Sequence, residues 1–168
     1  MAAYSLVCYI LRIKDRHNGN IMLDADGHLI HIDYGFMLGI QPGGRFSLER
    51  RVPFKLTSEM VDAMGGTQSE YFREYVTLLI QGFLALRQNQ NVDTILMMIA
   101  IMARNSSCPC FLNRNPQDIL NQTKALFALD LTTDQVIPHV MKLVRLSLNS
   151  FGYRRYDQFQ HMTNDILP

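Results

Sequence analysis

The sequence DRHNGN at residues 15–20, followed by DYG at residues 33–35, brackets the segment that decides how this chain folds. Between them, apolar runs at residues 21–23 and 29–32 flank the sequence DADG at residues 24–27. An Asp-Gly turn between apolar runs is a strong short-range signal for a β-hairpin. We therefore expect a hairpin whose open ends carry the two polar motifs and bring them close together.

The residue types in these motifs suit the transfer of a phosphoryl group. The transition state of that reaction concentrates negative charge, which metal ions bridging the phosphates offset. Magnesium prefers hard oxygen ligands, and Asn20 offers an amide oxygen while Asp33 offers a carboxylate. Another group must orient the attacking hydroxyl and accept its proton, and Asp15 and His17 lie just upstream of Asn20. Asp15 precedes Asn20 by five positions, which is also the Asp-to-Asn spacing of the protein-kinase catalytic loop.

The order Asp-Arg-His at residues 15–17 reverses the His-Arg-Asp of protein kinases. Followed by an Asn and by Asp-Tyr-Gly, it resembles the phosphatidylinositol-kinase superfamily. Each residue alone also fits a helix end or a turn, but the combination within residues 15–35 is specific. Further segments resemble type III phosphatidylinositol 4-kinases, and residues 42–44 favour the alpha type. The segments that resemble type III phosphatidylinositol 4-kinases are residues 4–9, 54–57, 60–62, 64–66, 108–111, 156–157, 160 and 164–166.

This resemblance implies an α+β, mostly helical fold, namely the C-terminal lobe of a protein-kinase-like lipid kinase with a small catalytic hairpin. It implies transfer of the ATP γ-phosphate to the 4-hydroxyl of phosphatidylinositol, with Mg²⁺ or Mn²⁺ as the metal. By motif, Asp15, Arg16 and His17 are expected to be catalytic, and the division of roles between Asp15 and His17 stays open. Asn20 and Asp33 are expected to bind the metal and the nucleotide.

The sequence predicts one domain over residues 1–168, with a catalytic loop at 15–20, an activation loop at 33–55 and a helical body at 57–168. Glycine and proline residues in the activation loop interrupt the hydrophobic periodicity of both an α-helix and a β-strand, so this segment is predicted to be irregular. Thr57 is a predicted N-cap, and Thr132 with Gln135 forms a predicted capping box. The predicted helices are residues 2–13, 58–64, 68–88, 92–104, 116–127, 133–149 and 153–164.

A complete kinase also needs a glycine-rich loop over the phosphates and a strand lysine paired with a helix glutamate. No Gly-x-Gly-x-x-Gly occurs in this sequence, and the segment before Asp15 is short. We therefore expect the N-terminal lobe to be absent and the chain alone to be inactive. The parent enzyme would then include upstream domains or regulatory subunits. The alternative is a truncated, non-catalytic binding or decoy module.

The activation loop is basic, with cations at Arg45, Arg50, Arg51 and Lys55. Phosphatidylinositol 3-kinases that accept phosphorylated inositides use basic residues in this loop to hold the extra phosphates, so a 3-kinase is one alternative. A solvated or membrane-facing basic loop is another interpretation. A phosphatidylinositol-kinase-related protein kinase is also an alternative, although that group usually ends in a segment with tryptophan and this chain has none. The family's usual Asp-Phe-Gly is Asp-Tyr-Gly here, and the phenol of Tyr34 needs a polar partner.

The composition of the chain narrows its expected partners and its expected location in the cell. The net charge is +1, so nothing global points to nucleic acid as a partner. Three cysteines, an odd number, do not suggest a secreted disulfide framework, and no run of eighteen apolar residues could span a bilayer. We expect a cytoplasmic, peripheral membrane protein. The last helix interleaves aromatics with Arg154 and Arg155, which fits membrane contact, whereas the spacing of Tyr156, Phe159 and Met162 also fits core packing.

Overall fold

The chain begins with helix α1, Ala2–Ile10, which leads directly into the predicted catalytic loop. The computed structural model describes residues 1–148 and 150–167, without the side chains of Arg45, Phe151 and Tyr153. The predicted helix at 2–13 is too long, because Arg12 adopts a left-handed φ of 49°. Its guanidinium donates to Gln122 at 2.9 Å and to the carbonyl of Leu38 at 3.0 Å, so tertiary anchors end the helix.

The predicted hairpin is confirmed. Strands β1, Ile21–Leu23, and β2, Leu29–His31, pair antiparallel with Ile21 opposite His31. The Asp24 side chain closes the turn, since it accepts the backbone N–H groups of Asp26 at 3.0 Å and His28 at 2.8 Å. After β2 the chain is irregular as far as the next helix, apart from a 3-10 turn at Gly44–Phe46.

The helical body follows the predicted order, with ends that shift by up to three residues. The Thr57 side chain accepts the Met60 N–H as the predicted N-cap, and the capping box of Thr132 and Gln135 is present. Leu148, at the end of the last but one helix, forms a parallel bridge with Leu56. The helices are α2, Ser58–Ala63, α3, Glu70–Leu86, α4, Asn89–Ala103, α5, Pro116–Ala125, α6, Thr133–Ser147, and α7, Phe151–Asn164.

Helix α3 is the centre of the main core and packs against both α1 and α6. Leu79 and Phe83 are fully buried there, and burial of one such side chain contributes about 1.5–3 kcal/mol. A Cβ at Gly82 would lie 2.5 Å from Cδ1 of Leu6, so glycine permits the close approach of α1. The Ser5 hydroxyl also bonds the Tyr75 hydroxyl at 2.9 Å. These contacts fix α1 and therefore the start of the catalytic loop.

The predicted fold class, a mostly helical α+β domain with one small hairpin, is confirmed. Across the described residues, no helix combines the length and apolarity needed to cross a membrane.

Candidate active site

Arg16 holds the two ends of the hairpin together. It is fully buried, and its guanidinium donates to backbone carbonyls on both sides. Nη1 donates to Ile32 at 2.6 Å and to Asn20 at 3.4 Å, Nη2 donates to the carbonyl of Asp33, and Nε donates to Lys14 at 3.0 Å. Four of the five guanidinium hydrogens thus bond carbonyls, and the fully buried side chain does not reach a surface where substrate binds. This geometry favours a positioning role for Arg16 over the direct catalytic role expected from the sequence.

Asp15 sits in the middle of a dense set of hydrogen bonds. Its backbone is left-handed, with φ 65°, and the residue is 8% exposed. The Asp15 N–H donates to Oε2 of Glu49 at 2.8 Å, and the carboxylate accepts from the Tyr156 hydroxyl. Nε2 of His17 lies 3.7 Å from Oδ1 of Asp15. The two residues predicted to serve the hydroxyl are therefore adjacent and share one small, nearly buried space.

The amide of Asn20 has only one orientation that satisfies its neighbours. Nδ2 lies 2.9 Å from the Asp15 carbonyl, which can only accept, so the amide hydrogens point towards the loop. Nδ2 is also 3.1 Å from Nε2 of His17, so in this orientation the ring nitrogen accepts, and the proton lies on Nδ1, which is buried and has no hydrogen-bond partner among the described residues. Burial lowers the pKa of His17 below its ordinary value, although the Asp15 carboxylate opposes the shift. His17 is therefore neutral near pH 7.

Asp33 lies at the open end of the hairpin, directly after the residue that pairs with Asn20, as the sequence predicts. The Ile32 N–H donates to the Asn20 carbonyl at 3.1 Å and extends the pairing of β1 and β2 by one step. Asp33 is exposed, with φ 56°, and its Oδ1 accepts the Gly35 N–H at 3.1 Å. Oδ2 of Asp33 and Oδ1 of Asn20 carry no hydrogen bond from the described residues. These hard oxygens fit the donor set that Mg²⁺ prefers.

Tyr34 finds the polar partner that its phenol requires. The hydroxyl donates to the His31 carbonyl at 3.0 Å, and the Arg16 guanidinium carbon lies 5.6 Å from the ring centroid. The departure from Asp-Phe-Gly is therefore accommodated within the hairpin itself.

Helix α7 lies across the catalytic loop and contributes a chain of side-chain hydrogen bonds that ends at Asp15. Asn164 donates to Gln160 at 2.6 Å, Gln160 donates to the Tyr156 hydroxyl at 2.7 Å, and that hydroxyl donates to Asp15. The three side chains are spaced four apart and share one face of the helix. Burial, and next the Asp15 carboxylate, raise the pKa of Tyr156 well above its ordinary value, so its proton stays in place.

Lys55 is tied to α7 and differs from the other cations of the loop. Its ammonium lies 3.0 Å and 3.2 Å from the carboxylate oxygens of Asp157 and 3.3 Å from the Asn18 amide oxygen. The Lys55 side chain is 3% exposed and that of Asp157 12%. The sequence placed Lys55 among residues facing substrate or membrane, whereas the geometry gives it a buried ion pair that docks α7.

Arg50 and Arg51 are exposed, as expected for a solvated or ligand-facing loop. They line a cavity of about 450 Å³ together with Arg12 and Lys14, and its other walls include leucines of α6. The side chain of Arg45 lies outside the described residues, so its predicted role stays a prediction.

The two interpretations of α7 apply to different residues. Tyr156 is 6% exposed and belongs to the site, whereas Phe159 is 52% exposed and Met162 83%. Arg154 and Arg155 are exposed as well. The outward face of α7 is thus apolar and basic, while its inward face bonds the catalytic loop.

Sequence reasoning missed Glu49 and Tyr156, which bond Asp15 directly, and Gln160, which bonds Tyr156. Glu49 carried one signal, an isolated acid between basic and apolar residues of the activation loop. Tyr156 and Gln160 carried another, two polar residues four apart on a helix face that also holds Asp157. Neither signal identifies the partner, because the contacts are distant in sequence.

Residues 1–110 match the model of a family described as phosphatidylinositol 3- and 4-kinase. The chain is 46% identical over 167 residues to phosphatidylinositol 4-kinase PIK1alpha of Candida albicans, covering 99% of this chain and 16% of that protein. It is 44% identical over 171 residues to phosphatidylinositol 4-kinase beta 1 of Arabidopsis thaliana, covering 99% of this chain and 15% of the relative. It is 42% identical over 166 residues to phosphatidylinositol 4-kinase beta of Xenopus laevis, covering 99% of this chain and 20% of the relative.

The resemblance seen in the motifs is therefore confirmed at the level of the family. The chain spans between 15% and 20% of the length of these three relatives. Their names carry both alpha and beta, so the leaning of residues 42–44 towards the alpha type stays a prediction.

Proposed function

Because this chain belongs to the phosphatidylinositol 3- and 4-kinase family, we propose that it supplies the hydroxyl-activating and metal-binding groups of a phosphatidylinositol 4-kinase. One observation carries the proposal: Asp15 and His17 are adjacent, and Asn20 joins them to the hairpin end that bears Asp33. The names of the relatives support the 4-hydroxyl over the 3-hydroxyl.

The reaction divides between the two ends of the site. The 4-hydroxyl oxygen bonds to the γ-phosphorus of ATP as the bond from that phosphorus to the β–γ bridging oxygen breaks, and ADP leaves. Oδ1 of Asn20 and Oδ2 of Asp33, which accept no hydrogen bond from the described residues, would hold the metal. A bound Mg²⁺ or Mn²⁺ would supply positive charge that offsets the negative charge developing on the phosphate oxygens.

The hydroxyl proton passes to Asp15 or to His17. A carboxylate and a neutral imidazole can each act as a general base, and the two lie within 3.7 Å of each other. The Asn20 amide donates to Nε2 of His17 and the Tyr156 hydroxyl donates to the Asp15 carboxylate, so these bonds fix the orientation of both candidates. Fixed donors and acceptors need no reorganisation during the reaction, and such preorganisation is the main catalytic resource in phosphoryl transfer.

We further propose that the protein acts in the cytoplasm at a membrane surface. The outward face of α7 supports this, because Phe159 and Met162 are exposed beside Arg154 and Arg155. Apolar and basic residues on one helix face favour an interfacial position on anionic lipid. Arg50 and Arg51 of the activation loop are exposed cations, whose charge favours an anionic headgroup.

The 168-residue chain alone should transfer no phosphate at a measurable rate. Its sequence contains no glycine-rich loop of the type that covers the nucleotide phosphates. Activity is therefore tested in a chimeric kinase, the Candida albicans relative with its matching segment replaced by this chain. The identity of 46% over 167 residues makes the exchange conservative.

The chimeric kinase should phosphorylate phosphatidylinositol vesicles with ATP and Mg²⁺. Asp33→Ala should abolish this activity, and Asp26→Ala, at an exposed acid in the hairpin turn, is the matched control that should not. A chimeric kinase that folds and phosphorylates peptides but not lipid would favour the protein-kinase alternative. A folded chimera without kinase activity would favour a non-catalytic binding module.

A further inference from the structure

Glu49 is a buried acid that the proposed chemistry does not use. It lies in the activation loop and its exposed fraction is 0%. Oε2 accepts the backbone N–H of Asp15 at 2.8 Å, while Oε1 is buried and has no hydrogen-bond partner among the described residues. A buried carboxylate is unfavourable unless its bonds are needed. Packing alone would be served better by an apolar side chain at this position.

The Glu49–Asp15 hydrogen bond is one of two neighbouring bonds between the activation loop and the start of the catalytic loop. Lys14, also buried, donates its ammonium to the carbonyl of Val52 in the activation loop. Glu49 and Val52 are the two ends of one turn, because the Val52 N–H donates to the Glu49 carbonyl at 3.1 Å. Lys14, just before the catalytic loop, and Asp15, its first residue, are thus tied to a single turn of the activation loop.

Helix α7 fixes the other side of this turn. A Cβ at Gly152, in the first turn of α7, would collide with the carbonyl oxygen of Leu48. The helix backbone therefore lies directly against the residue that precedes Glu49. The same helix reaches Asp15 through the Tyr156 hydroxyl, so Asp15 is held from both its backbone and its carboxylate.

The peptide that Glu49 holds is the one that sets the direction of the Asp15 side chain. Asp15 has a left-handed φ of 65°, outside any helix or strand, so no regular backbone pairing satisfies its N–H. If that peptide rotated, the Asp15 carboxylate would move away from Asn20 and from His17. A misplacement of about 1 Å can lower a rate about 100-fold.

We propose that Glu49 is a positioning residue for the phosphoryl transfer: by accepting the Asp15 N–H it orients the Asp15 carboxyl, and it makes that orientation depend on the conformation of the activation loop. This inference rests on the proposed function for its kinetic consequence. The Glu49–Asp15 hydrogen bond itself does not depend on that function.

The test uses three substitutions at this position in the chimeric kinase. Glu49→Gln keeps an acceptor at the same reach without the charge, Glu49→Asp keeps the charge but withdraws the acceptor, and Glu49→Ala removes both. We expect kcat to stay within about threefold for Gln and to fall about 10- to 100-fold for Asp and Ala, with KM for ATP little changed. Glu59→Asp and Glu59→Ala, at an exposed glutamate of α2, are the matched controls.

Two kinetic results would overturn the proposal. One is a kcat for folded Glu49→Asp within twofold of the parent. The other is a loss for Glu49→Gln as large as that for Glu49→Asp, because an acceptor at the reach of Glu49 would then not be sufficient to position Asp15. Since both variants change few atoms, the comparison stands even where Glu49→Ala does not fold.

Hydrogen exchange at the Asp15 amide separates this inference from the proposed function. The amide should be protected in the parent and in Glu49→Gln, and should exchange at least about tenfold faster in Glu49→Asp. Equal exchange in all three would contradict the positioning role even in an active kinase. Protection lost as expected in a chimera without lipid kinase activity would contradict the proposed function alone.

Discussion

The hydroxyl of Tyr156 donates a hydrogen bond to Oδ1 of Asp15, and so connects helix α7 to the catalytic loop across 141 positions of sequence. Asp15 has few other donors in its nearly buried position, and Gln160 in turn donates to the Tyr156 oxygen at 2.7 Å. The orientation of the Asp15 carboxylate is therefore a property of the C-terminal helix as much as of the loop that carries it.

Tyr156→Phe should weaken both the site and the docking of α7. The substitution leaves the Asp15 Oδ1 and the Gln160 amide without this partner, and one unpaired buried polar group costs about 1–3 kcal/mol. We expect a loss of that size in the free energy of unfolding by urea denaturation, and a kcat about tenfold lower in the chimeric kinase. Tyr71→Phe, at a tyrosine that is 70% exposed, is the control and should change neither. A kcat that remained at the parent level in Tyr156→Phe would contradict the prediction.

The ion pair of Lys55 and Asp157 should behave as a coupled unit. Removal of one partner leaves a nearly buried charge uncompensated, which costs about 3–5 kcal/mol, whereas removal of both costs much less. We expect Lys55→Met and Asp157→Leu each to destabilise the protein and the double variant to recover much of the loss. The measurement is a double-mutant cycle of unfolding free energies. Additive losses would show that the two side chains do not interact energetically.

Asn20→Ala should raise the Mg²⁺ concentration at which the chimeric kinase is half-maximally active. The substitution removes one of the two proposed metal oxygens, and we expect an increase of about tenfold or more. Asn91→Ala, at an exposed asparagine of α4, supplies the control. If the Mg²⁺ dependence of Asn20→Ala matched that of the parent while kcat fell, Asn20 would serve the catalytic loop alone.

The outward face of α7 should contribute to vesicle binding. Reversal of charge in Arg154→Glu with Arg155→Glu, or loss of apolar surface in Phe159→Ser with Met162→Ser, should each weaken binding to vesicles containing anionic lipid by about tenfold or more. Met97→Ser with Met98→Ser is a matched control, because those side chains on α4 are 57% and 56% exposed. Equal losses from the α4 and α7 pairs would indicate a nonspecific effect of exposed apolar surface.

Stability should fall as the pH drops from about 6.5 to about 4, because His31 is buried. Burial, and next the Arg16 charge, lower the pKa of His31 from its ordinary 6.5 to about 4. Within this window the unfolded chain binds a proton at His31 that the folded chain does not, so the contribution of this group to stability is lost as the pH falls. The full difference is about 3 kcal/mol.

Denaturation of the chain at several pH values checks this prediction. His31→Gln should flatten the pH dependence, whereas His161→Gln, at an exposed histidine of α7, should leave it unchanged. An equally steep dependence in His31→Gln would assign the effect to another group.

Local sequence signals predicted the elements that are stabilised locally. The DADG turn specified the hairpin because the Asp24 side chain closes its own turn, and Thr57 and Thr132 marked helix starts because their caps lie within three residues. The predicted end of α1 was wrong because Arg12 forms hydrogen bonds with Leu38 and Gln122, neither of which is near it in sequence.

The difference between contacts that are local and contacts that are distant in sequence also explains which site residues were predicted and which were missed. Asp15, His17 and Asn20 share one loop, and a hairpin brings Asp33 to them, so a motif and a turn sufficed to predict their proximity. Glu49 reaches Asp15 over 34 positions, and the Lys55–Asp157 pair spans 102 positions. No periodicity encodes such pairings, since they depend on how the activation loop and α7 pack after the core has formed.

The most direct measurement is the identity of the lipid product of the chimeric kinase. Radiolabelled ATP, phosphatidylinositol vesicles and chromatography of the deacylated product separate the 4-phosphate from the 3-phosphate. We predict phosphatidylinositol 4-phosphate, absent with Asp33→Ala and retained with Asp26→Ala. A 3-phosphate product, or a 4-phosphate product that persists in Asp33→Ala, would contradict the assignment of this chain as the catalytic lobe of a phosphatidylinositol 4-kinase.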